Sequence, residues 1–258
     1  DKEQKLTYKG RGIMSTETTK NRREFIHYST LGVLGFALGG GYMVAPYLKT
    51  EEKHLRPPGA VEENLFLALC IKCGQCLQVC PYHSIKLADL MKGYGMGTPY
   101  IEARKRGCYL CGALPCVLAC PSGALDHHAE KPSDVKMGVA VLEFPQTCFA
   151  LTRTPVIKTH LERIYKHPHT RQLEEDVLKK LATFEGKACT LCADMCPLPN
   201  SSVAIEMITT SDGNQKPQVK DGCVGCGVCE EVCPVVSPAI VIKPRQTYAS
   251  YYATRQLL

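Results

Sequence analysis

The chain contains no tryptophan, and aromatic residues make up only 7% of its 258 residues. That length has room for one large or two small domains, but the shortage of large aromatics argues against the core of an ordinary enzyme. Reactive constellations are also missing. No nucleophile stands with a base, and neither a carboxylate pair nor an open metal position can be identified, so no substrate conversion is expected. No Cys-x-x-Cys-His occurs, which excludes c-type haem attachment. His127, His128, His160, His167 and His169 are therefore read as surface residues. Gly93-Tyr94-Gly95-Met96-Gly97 lacks the strand and helix context of a nucleotide loop and is read as a turn.

What the chain has instead is 16 cysteines. The first four stand in Cys70-Ile71-Lys72-Cys73-Gly74-Gln75-Cys76-Leu77-Gln78-Val79-Cys80-Pro81, the spacing of a bacterial iron–sulfur ligand run. Cys223, Cys226, Cys229 and Cys233 repeat that spacing, and Cys108, Cys111, Cys116 and Cys120 widen its middle gap. Cys148, Cys189, Cys192 and Cys196 form a split version, with residues 149–188 inserted after the first cysteine. Disulfide frameworks rarely place cysteines two and three apart in successive groups that end in Cys-Pro. All sixteen are accordingly read as iron ligands of four [4Fe-4S] clusters.

The formal charge of +6 at first suggests an anionic partner such as nucleic acid. Four thiolate-bound cubanes would add roughly two negative charges each and bring the loaded protein near about −2. No nucleic-acid partner is therefore expected. Arg104-Lys105-Arg106 reads as solvated surface, or as a patch for an acidic partner.

Residues 1–20 are polar and read as an extension without a core. Residues 21–48 begin Asn21-Arg22-Arg23-Glu24-Phe25-Ile26 and continue into a Gly-rich, weakly apolar run, which resembles a twin-arginine export signal. Phe25 to Leu48 as a helix would span roughly 36 Å, enough for a hydrocarbon core of about 30 Å. It is read as a retained transmembrane anchor with the cysteine-rich body on the periplasmic side of the cytoplasmic membrane. Residues 49–60 read as a stiff linker, 61–245 as the cluster body and 246–258 as a tail, disordered or packed on a neighbour.

A repeat extends beyond the cysteines. Short apolar stretches follow each Cys-Pro, at His83–Leu87, Gly123–Leu125, Val203–Met207 and Ala239–Ile242, and the intervals between runs are nearly equal. This predicts an α+β fold of two bacterial-ferredoxin-like modules in which the fourth cysteine of each run ligates the partner run's cluster. The equal intervals leave open which runs pair. Glycines 74, 225 and 227 would let backbone amides approach the sulfurs. His83 is a candidate for tuning a cluster through a hydrogen bond. Residues 171–184 suit a short amphipathic helix with apolar positions 173, 177, 181 and 184, either covering the body or docking a redox partner.

The runs, with Leu55-Arg56-Pro57-Pro58-Gly59-Ala60, Gly97-Thr98-Pro99-Tyr100 and Met137-Gly138-Val139-Ala140, resemble the NapG/MauM family of periplasmic ferredoxin-type proteins over most of residues 55–243. The resemblance implies nested pairing. An outer module would join runs 70–80 and 223–233, with Cys233 completing the first site and Cys80 the last. An inner module would join runs 108–120 and 148–196; sequential pairing is the alternative. It also implies an electron-transfer subunit of a quinol-linked respiratory system, in a hetero-oligomeric complex between a quinone-reactive integral membrane subunit and a terminal reductase or cytochrome, in periplasmic nitrate respiration. The rival readings are an iron–sulfur subunit of another membrane complex and a zinc-stabilised binding scaffold.

Overall fold

The computed structural model describes residues 26, 28–36, 54–89, 95–167 and 171–255. The chain divides into a unit over residues 1–49 and a larger unit over 50–258. In the first, α1 occupies residues 28–36. Among the described residues no helix is long and apolar enough to cross a membrane. Most of the expected anchor, and the whole polar extension, lie outside them.

The described residues of the larger unit form short helices of 4 to 11 residues and three separate two-stranded antiparallel sheets. In its first half, α2 (Glu63–Leu69) leads into the first cysteine run, and α3 (Gln75–Gln78) lies within that run. A hairpin of β1 (Ile85–Leu87) and β2 (Pro99–Ile101) then joins it to the second run, which carries α4 (Pro115–Leu118). The second half repeats the order. β3 (Gly138–Leu142) precedes Cys148 and α5 (Phe149–Thr152). α6 (Lys158–Tyr165) and α7 (Gln172–Ala182) fill the insertion, and α8 (Leu191–Asp194) carries the rest of the split run. The hairpin β4 (Ile205–Thr209) and β5 (Gln215–Val219) leads to the last run with α9 (Val228–Val232). β6 (Ile240–Pro244) and α10 (Tyr248–Arg255) finish the body.

Each half closes by pairing the segment before its first run with the segment after its second. β3 pairs β6 over Gly138↔Pro244 to Leu142↔Ile240, and the first half does the same with a single bridge, Ala60↔Leu125. This closure overturns the nested reading. Consecutive runs are joined by a short hairpin and closed by one outer pairing, so runs 70–80 and 108–120 share one module, and runs 148–196 and 223–233 share the other.

Both ends of the body also move. The expected linker is structured from residue 54, with Leu55 bridged to Ile101 and Arg56 buried at 1% exposure against Glu63, Thr98 and Pro99. Its two prolines fix the path of a strand-like entry. The expected tail packs on this chain's own core through Tyr248, Tyr251 and Tyr252. Of the four predicted apolar stretches, three contain strands, and Gly123–Leu125 supplies only the bridge.

Candidate metal centres

One-turn helices such as α3, α4 and α9 cannot be stable alone, because a single turn fixes several residues for one or two hydrogen bonds. Here each is entered through a residue in the left-handed region: Gly74, Leu114 and Gly227. The next turn raises the third cysteine of its run, Cys76, Cys116 or Cys229, into the interior. A second left-handed residue lies between the first two cysteines, at Lys72, Leu110 and Gly225. At Gly225 only glycine fits, since an added methyl carbon would lie 2.2 Å from the carbonyl carbon of Gly138.

The sulfurs fall into four sets. Cys80, Cys108, Cys111 and Cys116 line one cavity with Ile85, Leu114 and three prolines. Cys148, Cys189, Cys192 and Cys233 line a second. Cys196, Cys223, Cys226 and Cys229 line a third, which Cys192 also borders. The three are of nearly the same size, about 20 Å³ each, as three sites for one kind of occupant would be. The fourth set follows from electrostatics: Cys76 lies within reach of Cys70, Cys73 and Cys120. In each set the fourth cysteine comes from the neighbouring run. The crossing predicted from the motif is present, but Cys120 stands where nested pairing put Cys233, and Cys196 where it put Cys80.

The sets also adjoin one another. Cys76 is coupled to Cys120 in its own set, and Cys116 feels Cys76 across the first half. Cys229 feels Cys192 across the second. Between the halves Cys108 feels Cys226, and the Cys108 amide donates to the Cys226 carbonyl at 2.8 Å. All four therefore form one row, in which the first-run set and the split-run set are the ends.

The donors fit iron–sulfur clusters. All sixteen cysteines are free of disulfides. Among the described residues no three His, Cys, Asp or Glu groups come close enough to hold a single metal ion, which is the arrangement a zinc scaffold would need. Burial pushes the thiols up, Cys76 and Cys111 to about 11 and Cys116 and Cys189 to about 12, so without metal these are neutral thiols. Iron would reverse that balance by stabilising the thiolates.

Backbone amides already point at the sulfurs. Ser84 donates to Cys80 Sγ at 3.3 Å and Ala140 to Cys223 Sγ at 3.4 Å. Leu77, Leu110, Val117, Leu191 and Val228 supply amides to Cys76, Cys108, Cys116, Cys189 and Cys226. Such bonds favour extra negative charge on a cluster and so raise its potential. Of the three glycines expected to serve this end, Gly225 itself donates, to Cys223, while Gly74 and Gly227 start the turns whose later amides do.

Several polar residues play parts that the linear pattern did not reveal. Arg104 and Arg106 are not solvated surface. Arg104 donates to the carbonyls of Glu230 and Cys233 at 2.8 and 2.9 Å, and Arg106 is buried. Only Lys105 of that triplet points outward, to Glu102. His83 makes its hydrogen bond to Glu174 at 3.0 Å. His127 bonds the carbonyl of Cys120 at 3.0 Å. A three-residue run of basic side chains carries no signal of which members turn inward, because the partners, backbone carbonyls for Arg104 and the carboxylates of Glu174 and Glu231 for Arg106, lie far along the chain.

Two family descriptions match the chain: a 4Fe-4S dicluster domain over residues 69–124 and a 4Fe-4S binding domain over 223–235. The dicluster match spans the two runs that the structure joins in one half. Among curated proteins, the chain is 34% identical over 240 residues to the ferredoxin-type protein NapG of Escherichia coli, covering 89% of this chain and 88% of that one. It is 32% identical over 241 residues to the methylamine utilization ferredoxin-type protein MauM of Methylorubrum extorquens, covering 90% and 93%. The MauM of Paracoccus denitrificans is 32% identical over 219 residues, covering 82% and 83%. No solved structure matches significantly.

Proposed function

Because the chain belongs to the NapG/MauM family of ferredoxin-type iron–sulfur proteins, we propose that it is a four-cluster electron-transfer subunit of a membrane-bound respiratory system. The observation that carries this reading is the unbroken row of four cysteine sets, each completed by the neighbouring run. [4Fe-4S] clusters bound there would supply one-electron exchange with little reorganisation. The chain's own residues hold the thiolates, wall the sites with apolar side chains, and aim amides at the sulfurs.

The end set of Cys70, Cys73, Cys76 and Cys120 is the natural point of exchange with a partner. Cys73 is exposed there, and Ile71 and Leu118 next to the ligands stand 65% and 67% exposed. In this reading residues 21–48 anchor the chain and the body faces the periplasm. The partners are a quinone-reactive integral membrane subunit on one side and a terminal reductase or cytochrome on the other. Relatives named for methylamine utilization stand beside NapG, which favours a second reading in which the same relay serves a different terminal oxidoreductase.

Iron and sulfide analysis of anaerobically purified protein, with EPR after reduction, tests the relay itself. Four cubanes per chain are expected, and zinc without cubane signals would sink it. Copurification from native membranes distinguishes the two partner readings. Protease added to the periplasmic side is expected to digest the body.

A further inference from the structure

We propose that the insertion, residues 149–188, is a clamp that fixes the seam between the two halves, with Arg163, Arg171 and Glu174 as its positioning residues. The seam is backbone laid on backbone. A methyl carbon added at Gly107 would lie 2.5 Å from the Val228 nitrogen and 2.6 Å from the Gly227 carbonyl carbon, so only glycine permits this approach. Directly beside it the Cys108 amide bonds the Cys226 carbonyl, bringing the two inner cysteine sets together. Side chains cross the same boundary, Arg104 donating to the carbonyls of Glu230 and Cys233 and Arg245 to Glu63.

By sequence the insertion belongs to the second half, and Arg153 and Lys180 bond there, yet Arg163, Arg171 and Glu174 reach the first. Arg171 Nη1 donates to the carbonyl of Cys80, a cluster-ligand candidate, at 3.0 Å. Arg163 spans both halves, donating through Nη1 to the Arg104 carbonyl at 2.6 Å and through Nη2 to the Glu231 carbonyl. Glu174 is fully buried, bonded to His83 and 3.8 Å from Arg106. Arg106 in turn lies 3.9 Å from the buried Glu231, whose other oxygen accepts the Gly107 amide at 2.7 Å. One guanidinium from the first half therefore sits between a carboxylate of the insertion and a carboxylate of the second half.

An insertion serving only as cover would bury apolar side chains. α7 does so with Leu181, but it also buries Glu174 while leaving Leu173 46% exposed. Buried charges of this kind cost desolvation and are a poor source of bulk stability, whereas they suit the fixing of one register between parts. Electron exchange falls steeply with separation, so a slip at the seam would slow transfer between the two inner sets. Only this last consequence depends on the electron-transfer reading; the clamp itself is read in amides.

The test is hydrogen exchange on the holoprotein carrying Arg163→Lys, which keeps the charge but lacks the fork to reach two carbonyls, or Glu174→Gln, which keeps the shape. Both variants are expected to retain full iron, to lose about tenfold or more of the protection over residues 104–109, and to keep it in the β4–β5 hairpin. In EPR of the reduced protein the magnetic interaction across the seam weakens while the interaction within each half stays. Unchanged exchange at 104–109 in both variants overturns the proposal, as does a loss spread evenly through β4–β5, which would make these residues ordinary supports of the fold. Absence of cubane signals would instead count against the functional reading and leave the exchange result to decide the clamp.

Discussion

The two halves of the body share one plan and differ in how much backbone stands behind each cysteine set. In the second half the inner hairpin and the outer pairing each run over five residue pairs. In the first the hairpin has three, and the outer pairing is a single bridge between Ala60 and Leu125. The exposed cysteine follows the same division, because Cys73 lies in the first half and every cysteine of the second is buried or half-buried. The lesson is that a duplicated ligand pattern can be held by unequal scaffolds. Where strands are short, ligands near solvent rely on the metal, and where strands are long the scaffold encloses them more fully.

The sharpest way to break this comparison is to remove the crossing ligands. Cys120→Ala is expected to abolish the site of Cys70, Cys73 and Cys76, and Cys233→Ala that of Cys148, Cys189 and Cys192, each losing about one cluster's iron. The nested arrangement would exchange Cys233's partners. In a Cys233→Ala background, adding Cys189→Ala should therefore remove no further iron, while adding Cys73→Ala should.

Glycines give the next largest contrast. Gly225→Ala drives a methyl into the Gly138 backbone at positive φ and is expected to cost about 3 kcal/mol or more. Gly74→Ala, with φ +74 but open space around it, should cost about 1 kcal/mol. Thermal denaturation of the two holoproteins measures both. Within the basic triplet, Arg104→Ala leaves the carbonyls of Glu230 and Cys233 without their donor and is expected to cost about 2–3 kcal/mol, against under about 0.5 for exposed Lys105→Ala.

The smallest effect concerns pH. Glu63 ties the start of the body to its end, accepting from Arg56 at 2.9 Å and Arg245 at 2.8 Å. Burial works to raise its carboxyl, and the hydrogen bonds and charges of the two arginines outweigh it and hold it below the ordinary range. A carboxyl lowered on folding contributes stability above its unfolded pKa of about 4.3 and loses it as pH falls through the folded value. Glu63→Gln is expected to lower Tm by about 2–4 °C at pH 7, with the gap to the parent narrowing as pH drops below about 4. A gap that stays constant with pH would mean the arginines do not act on a charged Glu63.

Much of the site was legible because its determinants are local. The spacing of Cys70 to Cys80 and of Cys223 to Cys233 dictates a loop, one helical turn and an exit at proline, whatever surrounds them. The apolar stretches after Cys80, Cys196 and Cys233 announced the positions of β1, β4 and β6. Leu110 and Leu114 were less readable, since leucine in the left-handed region carries no composition signal and is held there by the ligands on either side. The apolar face expected for residues 171–184 holds at Val177, Leu181 and Phe184, which pack on the core, and fails only at its start, where Glu174 is buried near Arg106 and Leu173 is left exposed.

The sequence by itself determined that sixteen cysteines would form four sets, that each set would borrow its fourth member, and that the fold would be a small α+β repeat, because short-range geometry around cysteine, glycine and proline leaves few alternatives. Only the tertiary structure decided which runs exchange that fourth member. The intervals between runs are equal, so the choice fell to the strand pairings β1–β2 and β4–β5 and to the closures Ala60↔Leu125 and β3–β6, which are contacts between distant segments. The same holds for the row of sets through Cys108 and Cys226. Two glycines more than a hundred residues apart allow those backbones to meet, and no local pattern encodes their meeting.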